Sequence, residues 1–356
     1  SYDITLDAAN DFGGPVSIVR ADDVTLNDIN AIDLGVSTIS GNLALTAAGD
    51  ITDSGALNVA GTTTLAAGSG NDILLNAANQ FGGAVSVTAA DDVTLNDTGA
   101  IDLGASTISG NLAVTANGTI TDSGALDIMG TTTLAAGSAN AITLDEANDF
   151  GGAVSITTGR NVTLNDTDEI DLGASTISGD LSVTTAGAIT QSGTLAVSGT
   201  TTLAAGSAND ITLADAGNTF AGLVGITSGG DVALTNSGAI VLGVSTISGN
   251  LAVTTAGAVT QFGAINVAGS TTLAAGAANA ITLDDFGNDF GGAVGIVSGL
   301  DVELTDLSEI MLGGSTISGN LTVFATGDIT QAAAVTVGGT AYLNAFAGGN
   351  ITLGDI

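Results

Sequence analysis

The chain has 356 residues and a net charge of −34, because 36 acidic residues are opposed by two arginines and no lysine. Nucleic acids and anionic membranes bind cationic surfaces, so this charge excludes both as partners. Histidine and cysteine are absent, which removes the common acid–base and nucleophilic side chains, disulfides and thiolate metal sites.

The strongest pattern is one phrase that returns throughout the chain, I-[TL]-L followed four or five residues later by N-x-F-[GA]-G. Its phenylalanine stands at Phe12, Phe81, Phe150, Phe220 and Phe290, at spacings of 69, 69, 70 and 70 residues. A supersecondary unit repeated in tandem buries its apolar face on its neighbours. The sequence therefore predicts a solenoid, in which function is carried by length and surface.

Each repeat divides further at glycines. In the first repeat the segments are residues 14–40, 41–60 and 61–82, with lengths of 27, 20 and 22 residues. Each segment combines short alternating strands with turns of small residues, which predicts three coils per repeat. Alternation predicts that one set of aliphatic side chains points inward. That set is Leu43, Leu45, Ile51, Leu57, Val59, Leu65 and Ile73.

These coils predict an all-β fold, a right-handed parallel β-helix of about 15 coils, with three coils in each repeat of 69–70 residues. Glycine is too frequent, at 53 residues, and its partners too β-branched for helical repeats. Aromatic residues make up only 3% of the chain, as a narrow aliphatic interior requires.

The repeats predict one continuous solenoid over residues 1–356. The predicted units are 3–71, 72–140, 141–209, 210–279 and 280–349, followed by a partial repeat at 350–356. No apolar run reaches the length of a membrane span, and no signal peptide opens the chain. Because the first and last phrases both lie within a repeat, we expect the sequence to be an internal part of a longer protein.

Threonine follows the Ile or Val of the I-T-L strands at thirteen of sixteen positions, of which Thr25, Thr52 and Thr94 are examples. This pattern predicts an exposed ladder down one face. Stacked threonines stabilise strands, and a flat threonine array could also bind ice, although no second threonine column lies beside it.

Aspartate stands two residues before the threonine ladder in five successive coils, at Asp3, Asp23, Asp50, Asp72 and Asp92, and the pattern resumes in pairs at Asp210 and Asp231 and at Asp301 and Asp328. If these carboxylates stack on successive coils they repel one another, and a hard cation such as Ca²⁺ would relieve the repulsion. Splaying into solvent would relieve it equally. The column is the candidate metal site, and no other cofactor is predicted.

An enzymatic function is not predicted. Paired carboxylates such as Asp145–Glu146 belong to the repeat and form no unique site. Arg20 and Arg160 occupy different phases of the repeat, so they do not define a common site. We identify no catalytic residue.

The phrases at residues 110–144 and 249–283, built on G-N-L-x-V-T-x-x-G-x-I-T-x-x-G-x-[LI]-x-[VI], resemble the repeat region of filamentous-haemagglutinin-like giant adhesins. The resemblance covers essentially the whole chain. It implies a right-handed β-helix in a bacterial exoprotein of the two-partner-secretion family, located outside the cell or on the bacterial surface.

Together these features predict a structural stalk or filament body of a secreted adhesin-like protein, mediating attachment or fibre formation. Its expected partner is itself, end to end or within a longer solenoid, with unidentified cell-surface or glycan ligands and no membrane insertion. Two alternatives remain open. One is a repeat-surface binding module for Ca²⁺, glycan or ice, and the other is a self-assembling matrix fibre.

Overall fold

The computed structural model describes residues 2–354, which contain 45 β-strands whose pairings are parallel. These residues form no helix, and so none that could cross a bilayer. The chain divides between Gly179 and Asp180 into two compact units. Each unit is a parallel β-solenoid, which confirms the predicted fold class.

Every coil contributes one strand to each of two sheets, here called face A and face B, with the labels assigned inside each unit. Many coils add a short third strand at a corner between the faces, which we call a corner strand. Strands β9, β18, β31 and β33 are long enough to run from a face into a corner.

In the first unit nine strands form face A, eight form face B and five are corner strands. Face A comprises β1 (Ile4–Asn10), β2 (Val24–Asp28), β5 (Leu43–Ala47), β8 (Thr63–Ala66), β10 (Val85–Ala89), β12 (Ile101–Leu103), β15 (Ile120–Asp122), β18 (Ile142–Phe150) and β20 (Val162–Asp166). Face B comprises β3 (Ile32–Leu34), β6 (Ile51–Asp53), β9 (Ile73–Phe81), β11 (Val93–Asp97), β14 (Leu112–Ala116), β17 (Thr132–Ala135), β19 (Val154–Thr158) and β21 (Ile170–Leu172). The corner strands are β4 (Ser37–Ile39), β7 (Leu57–Val59), β13 (Ser106–Ile108), β16 (Leu126–Ile128) and β22 (Ser175–Ile177).

The second unit repeats this arrangement. Face A comprises β23 (Leu181–Thr185), β26 (Thr201–Ala204), β29 (Leu223–Ser228), β31 (Ile240–Ile247), β33 (Val259–Val267), β35 (Ile281–Leu283), β38 (Val302–Asp306), β41 (Leu321–Ala325) and β44 (Ala341–Ala345). Face B comprises β24 (Ile189–Gln191), β27 (Ile211–Leu213), β30 (Val232–Asn236), β32 (Leu251–Thr255), β34 (Thr271–Ala274), β37 (Ala293–Ser298), β39 (Ile310–Leu312), β42 (Ile329–Gln331) and β45 (Ile351–Thr352). The corner strands are β25 (Leu195–Val197), β28 (Thr219–Phe220), β36 (Asp289–Phe290), β40 (Ser315–Ile317) and β43 (Val335–Val337).

The strand register shows that one sequence repeat makes three and a half coils. The V-T-L-N-D strand of the first repeat, β2, lies on face A, its equivalent β11 lies on face B, and the next equivalent, β20, returns to face A. The second to fifth repeats each supply seven strands to the two faces, and the first supplies six strands and an isolated bridge at Val16. Because seven is odd, equivalent residues of successive repeats within a unit lie on opposite faces.

The prediction of three coils per repeat is therefore wrong. The 27-residue segment at residues 14–40 contains two main strands, β2 on face A and β3 on face B, rather than the strands of one coil. Coils average about 20 residues rather than 23, and the two units together hold about 17 turns instead of the predicted 15. The end of the predicted partial repeat, at 355–356, lies outside the described residues.

The interior is aliphatic, as predicted. The seven residues from Leu43 to Ile73 expected inside are all buried. Four of the motif phenylalanines, Phe81, Phe150, Phe220 and Phe290, are buried in the corners, whereas Phe12 is half-buried.

One turn in each of the first four repeats requires glycine. Gly68 has a φ of +86°, in the left-handed region that side chains avoid. The Asn71 amide closes the same turn by donating to the carbonyl oxygen of Ala67 at 2.8 Å. The A-A-G-x-x-N phrase is thus a structural turn, repeated at Gly137, Gly206 and Gly276.

Candidate functional site

The predicted aspartate column is two separate stacks in the structure. Asp3 and Asp23 precede strands β1 and β2 on face A, whereas Asp50, Asp72 and Asp92 precede β6, β9 and β11 on face B. This split arises within the first repeat, because Asp50 precedes the third face strand after that of Asp23, and strands alternate between the two faces. The structure therefore brings together at most three of the five aspartates.

Within each stack, the carboxylates bind the backbone of the following coil. The N–H of Asp72 donates to Oδ1 of Asp50 at 3.0 Å, and the N–H of Asp92 donates to Oδ1 of Asp72 at 3.1 Å. The stack then continues through neutral residues. Asn111 donates its N–H to Asp92 at 2.7 Å, and Thr131 donates its N–H to the side-chain oxygen of Asn111 at 2.8 Å.

The same ladder recurs in the second unit. Asp231 donates its N–H to Asp210, Asn250 donates to Asp231, and Ser270 donates to Asn250, at 2.7–2.8 Å. Each aspartate oxygen in these ladders accepts a hydrogen bond from the next coil, so the ladder joins coils at the start of their strands. Among residues 2–354, no group of three or more His, Cys, Asp or Glu side chains is placed to hold a metal ion.

The threonine ladder is also divided between faces. Thr25 pairs with Thr5 on face A, while Thr52 and Thr94 lie on face B, where both flank Leu74 in register. Thr25 is exposed, and Thr52 and Thr94 are half-buried. The prediction that these threonines line up on one face is wrong, because Thr52 lies three face strands after Thr25 and Thr94 lies seven after it, both odd numbers.

A set of buried carboxylates escaped the sequence analysis. They end the V-T-L-N-D strand in four repeats, at Asp28, Asp97, Asp166 and Asp306, and each is at most 2% exposed. Asp97 shows their role: Oδ2 accepts the N–H of Phe81 at 2.8 Å and Oδ1 accepts the N–H of Gly99 at 2.6 Å. The carboxylate thus fixes the motif phenylalanine of the preceding coil to the next turn.

Burial changes the acidity of these groups. Desolvation raises the pKa of Asp97 and of Asp306, against the lowering effect of the backbone hydrogen bonds that each accepts. Desolvation raises the pKa of Asp166 to about 7, with a further contribution from the nearby Asp168 carboxylate. In the fourth repeat the position is Asn236, which accepts the N–H of Phe220 at 2.9 Å without carrying a charge.

The asparagine of the N-x-F motif is a second buried polar group. Asn148 is 0% exposed; its Oδ1 accepts the N–H of Leu126 at 2.9 Å and its Nδ2 donates to Asp122 at 2.8 Å. In later repeats a glutamine replaces the aspartate, and Asn218 donates to Gln191 at 2.8 Å. The recurrence of N-x-F is the sequence signal for this network, because a polar residue two before a core phenylalanine needs a buried partner.

These contacts define what the repeat motif does chemically. Its asparagine, aspartate and serine bind backbone groups of adjacent coils; the Ser106 hydroxyl, for example, accepts the N–H of Val87 at 2.9 Å. Asp145 and Glu146, considered above as a pair, both donate their backbone N–H groups to Asp122. The arrangement is one of structural hydrogen bonds between coils.

Comparison with known proteins gives a consistent but limited result. No curated protein and no solved structure matches the chain significantly. A family model described as repeats of unknown function (DUF5649) matches residues 21–88, 90–157, 159–227, 229–297 and 299–356. The five matches follow the same period as the phenylalanine motif and cover most of the sequence, so the chain belongs to this family of repeats of unknown function.

Proposed function

We propose that the chain is a structural segment, the stalk or filament body of a secreted, adhesin-like bacterial surface protein of the filamentous-haemagglutinin-like kind. Its role is to hold other parts of the protein at a distance from the cell and so to mediate attachment or fibre formation. Its partners are further solenoid segments, in the same chain or in other copies.

The observation that carries this proposal is the use of the motif residues. Asn148, Asp166 and Ser106 each bind backbone groups of a neighbouring coil, and equivalents recur in other repeats. When the recurring polar residues of a repeat bind the backbone of neighbouring coils, their role is to hold successive coils together in one solenoid. The charge of −34 supports the same role, because it keeps neighbouring copies soluble and apart.

Deletion of whole repeats in the full-length protein tests the proposal. Removing residues 72–209 takes out two repeats and leaves each remaining strand on its original face. We expect the shortened protein to reach the cell surface, measured by antibody binding to intact cells, while attachment of those cells to a surface falls with solenoid length.

A matched control removes only residues 72–140, one repeat, which moves the later strands of the first unit to the opposite face. A stalk should tolerate this half-turn, so attachment should fall between the values for the intact protein and the two-repeat deletion. The proposal is wrong if the protein stays inside the cell, or if attachment is unchanged by both deletions.

A further inference from the structure

A surface groove lies on the fourth repeat and the end of the third. The groove has a volume of about 390 Å³, and its walls include the side chains of Phe262 and Val244. Both side chains are unusually open to solvent for apolar residues, with exposed fractions of 74% and 67%. The floor is bare backbone at three glycines on adjacent coils, Gly225, Gly243 and Gly263.

Two departures from the repeat create this groove. Ser17, Ser86 and Ser155 occupy the position of Gly225 in the first three repeats. In those repeats the serine hydroxyl lies over the glycine of the next coil that is equivalent to Gly243. In the first repeat this glycine is Gly35, and a Cβ added to it would lie 2.1 Å from Oγ of Ser17. At Gly243 the nearest atom to such a Cβ is the backbone of Gly225, at 3.4 Å. Loss of the serine therefore opens a notch.

The second departure supplies an aromatic wall. Phe262 stands where the first three repeats have Ser54, Ser123 and Ser192. The following Gly263 has a φ of +112°, a conformation open to glycine, and its neighbour across the coils is Val244. The ring thus lies on strand β33 beside the notch, opposite Gly243 in the strand pairing. Phe262 and Val244 together form an exposed apolar patch on the groove, and a contiguous patch indicates a binding surface more than a single exposed residue does.

The electrostatics of the groove select its occupant. No charged side chain lines it, in a chain with 36 acidic residues. The groove has no carboxylate that could bind a basic partner. A second copy of the chain also carries a charge of −34, so the two copies would repel each other. The remaining lining residues are the apolar Leu223 and three residues that carry hydroxyl groups, Thr200, Thr202 and Thr227. The groove therefore suits an uncharged ligand with both an apolar face and hydrogen-bonding groups.

We propose that this groove binds a neutral saccharide, with one sugar ring stacked on Phe262 and its hydroxyls bonded to the threonines and the glycine backbone. A pyranose ring has an apolar face of C–H groups, which complements the negative face of an aromatic ring. A few polar groups around an apolar wall then fix its orientation. This activity goes beyond the scaffold role and does not depend on it.

Saturation-transfer NMR tests the proposal, with chitotriose, cellotriose and maltotriose as neutral probes and trigalacturonate as an acidic control. We expect transfer to the ring protons of at least one neutral trisaccharide and none to trigalacturonate. F262S and G225S restore residues found in the earlier repeats, so both variants should fold. Each should weaken binding by at least tenfold, whereas F262W should retain it.

F286S is the matched control, because Phe286 is also 70% exposed but lies outside the groove. It should bind the saccharide as the unmodified chain does. The proposal is overturned if none of the three neutral probes receives transfer, if F262S binds equally well, or if F286S loses binding to the same extent. Thermal unfolding of each variant shows that the fold is intact.

Discussion

The polar residues inside and outside this solenoid perform the same task under different physical conditions. Asp92, on the outside, and Asp97, inside, both accept backbone N–H groups and join one coil to another. Asp92 is exposed and Asp97 is 1% exposed. If the hydrogen bond to Asp92 breaks, water can replace the lost partner. Asp97 and the N–H groups bound to it are buried, so no water can replace theirs. The inner positions should therefore dominate stability.

The largest effect is expected from breaking the inner network at Asn148. Asn148→Ala leaves the buried N–H of Leu126 without an acceptor and removes a donor from Asp122. We expect the free energy of unfolding to fall by about 3 kcal/mol, since unsatisfied buried groups cost about 1–3 kcal/mol each. Amide hydrogen exchange at Leu126 should report the local opening.

The matched control is Asn117→Ala, a substitution of an exposed asparagine in the preceding repeat. Its effect on stability should stay within about 0.5 kcal/mol. Equal effects of the two substitutions on the unfolding midpoint would contradict the dominance of inner positions.

A smaller effect, with a defined pH dependence, is expected at Asp166. Its pKa rises from 3.8 to about 7 in the folded protein because of desolvation. Between pH 3.8 and about 7 the folded state therefore binds more protons at Asp166 than the unfolded state does. The contribution of Asp166 to the free energy of unfolding is thus fully present below pH 3.8 and is lost as the pH rises through about 7. Asp166→Asn should stabilise the protein at pH 8, by on the order of 2 kcal/mol.

The fourth repeat provides the reverse experiment. Asn236 accepts the N–H of Phe220 and donates to the carbonyl oxygen of Ala239 at 2.6 Å, which shows that an amide fits this position. Asn236→Asp should destabilise at pH 8 and have a smaller effect at pH 4. Urea unfolding at the two pH values measures both variants, and a pH-independent change in either would contradict the assignment.

An effect of about 1 kcal/mol is expected at Thr132, where the buried hydroxyl has no hydrogen-bond partner. Thr132→Val keeps the shape and removes the unsatisfied group, so it should raise the unfolding midpoint. The position is Ala341 in the fifth repeat, so the fold does not require the hydroxyl. Thr133→Val, on the exposed neighbour, is the control and should be close to neutral. Destabilisation by Thr132→Val would contradict the prediction.

The sequence was sufficient to predict the β-solenoid and its buried aliphatic residues, because alternation and repetition reflect packing directly. It did not predict correctly which strands lie on the same face. Glycines divide each repeat into three segments, but the strands on the faces number seven, and only the pairing of β2, β11 and β20 reveals the half-coil offset. Periodicity records which residues are equivalent, and not the direction in which they point.

The inner polar sites were missed for a related reason. Asp97 ends a strand of the form V-T-L-N-D, in which Asn96 and Asp97 look equally suited to a turn. The structure places Asp97 inside, where it accepts two hydrogen bonds, and Asn96 outside on the same strand. Distinguishing the two needs the register, which depends on contacts between coils rather than on local sequence.

The smallest effect is expected at the outer aspartates, Asp50, Asp72 and Asp92, and it bears on the candidate Ca²⁺ column. Their Oδ1 atoms already accept hydrogen bonds from the next coil, and the stack passes to the neutral Asn111. Repulsion between exposed carboxylates is reduced by any salt. We therefore expect Ca²⁺ and Na⁺ of matched ionic strength to raise the thermal midpoint equally, and Asp72→Asn to leave that equality unchanged. A larger rise with Ca²⁺, abolished by Asp72→Asn, would instead establish a specific cation site, because a ligand that binds only the folded state stabilises it in proportion to its occupancy.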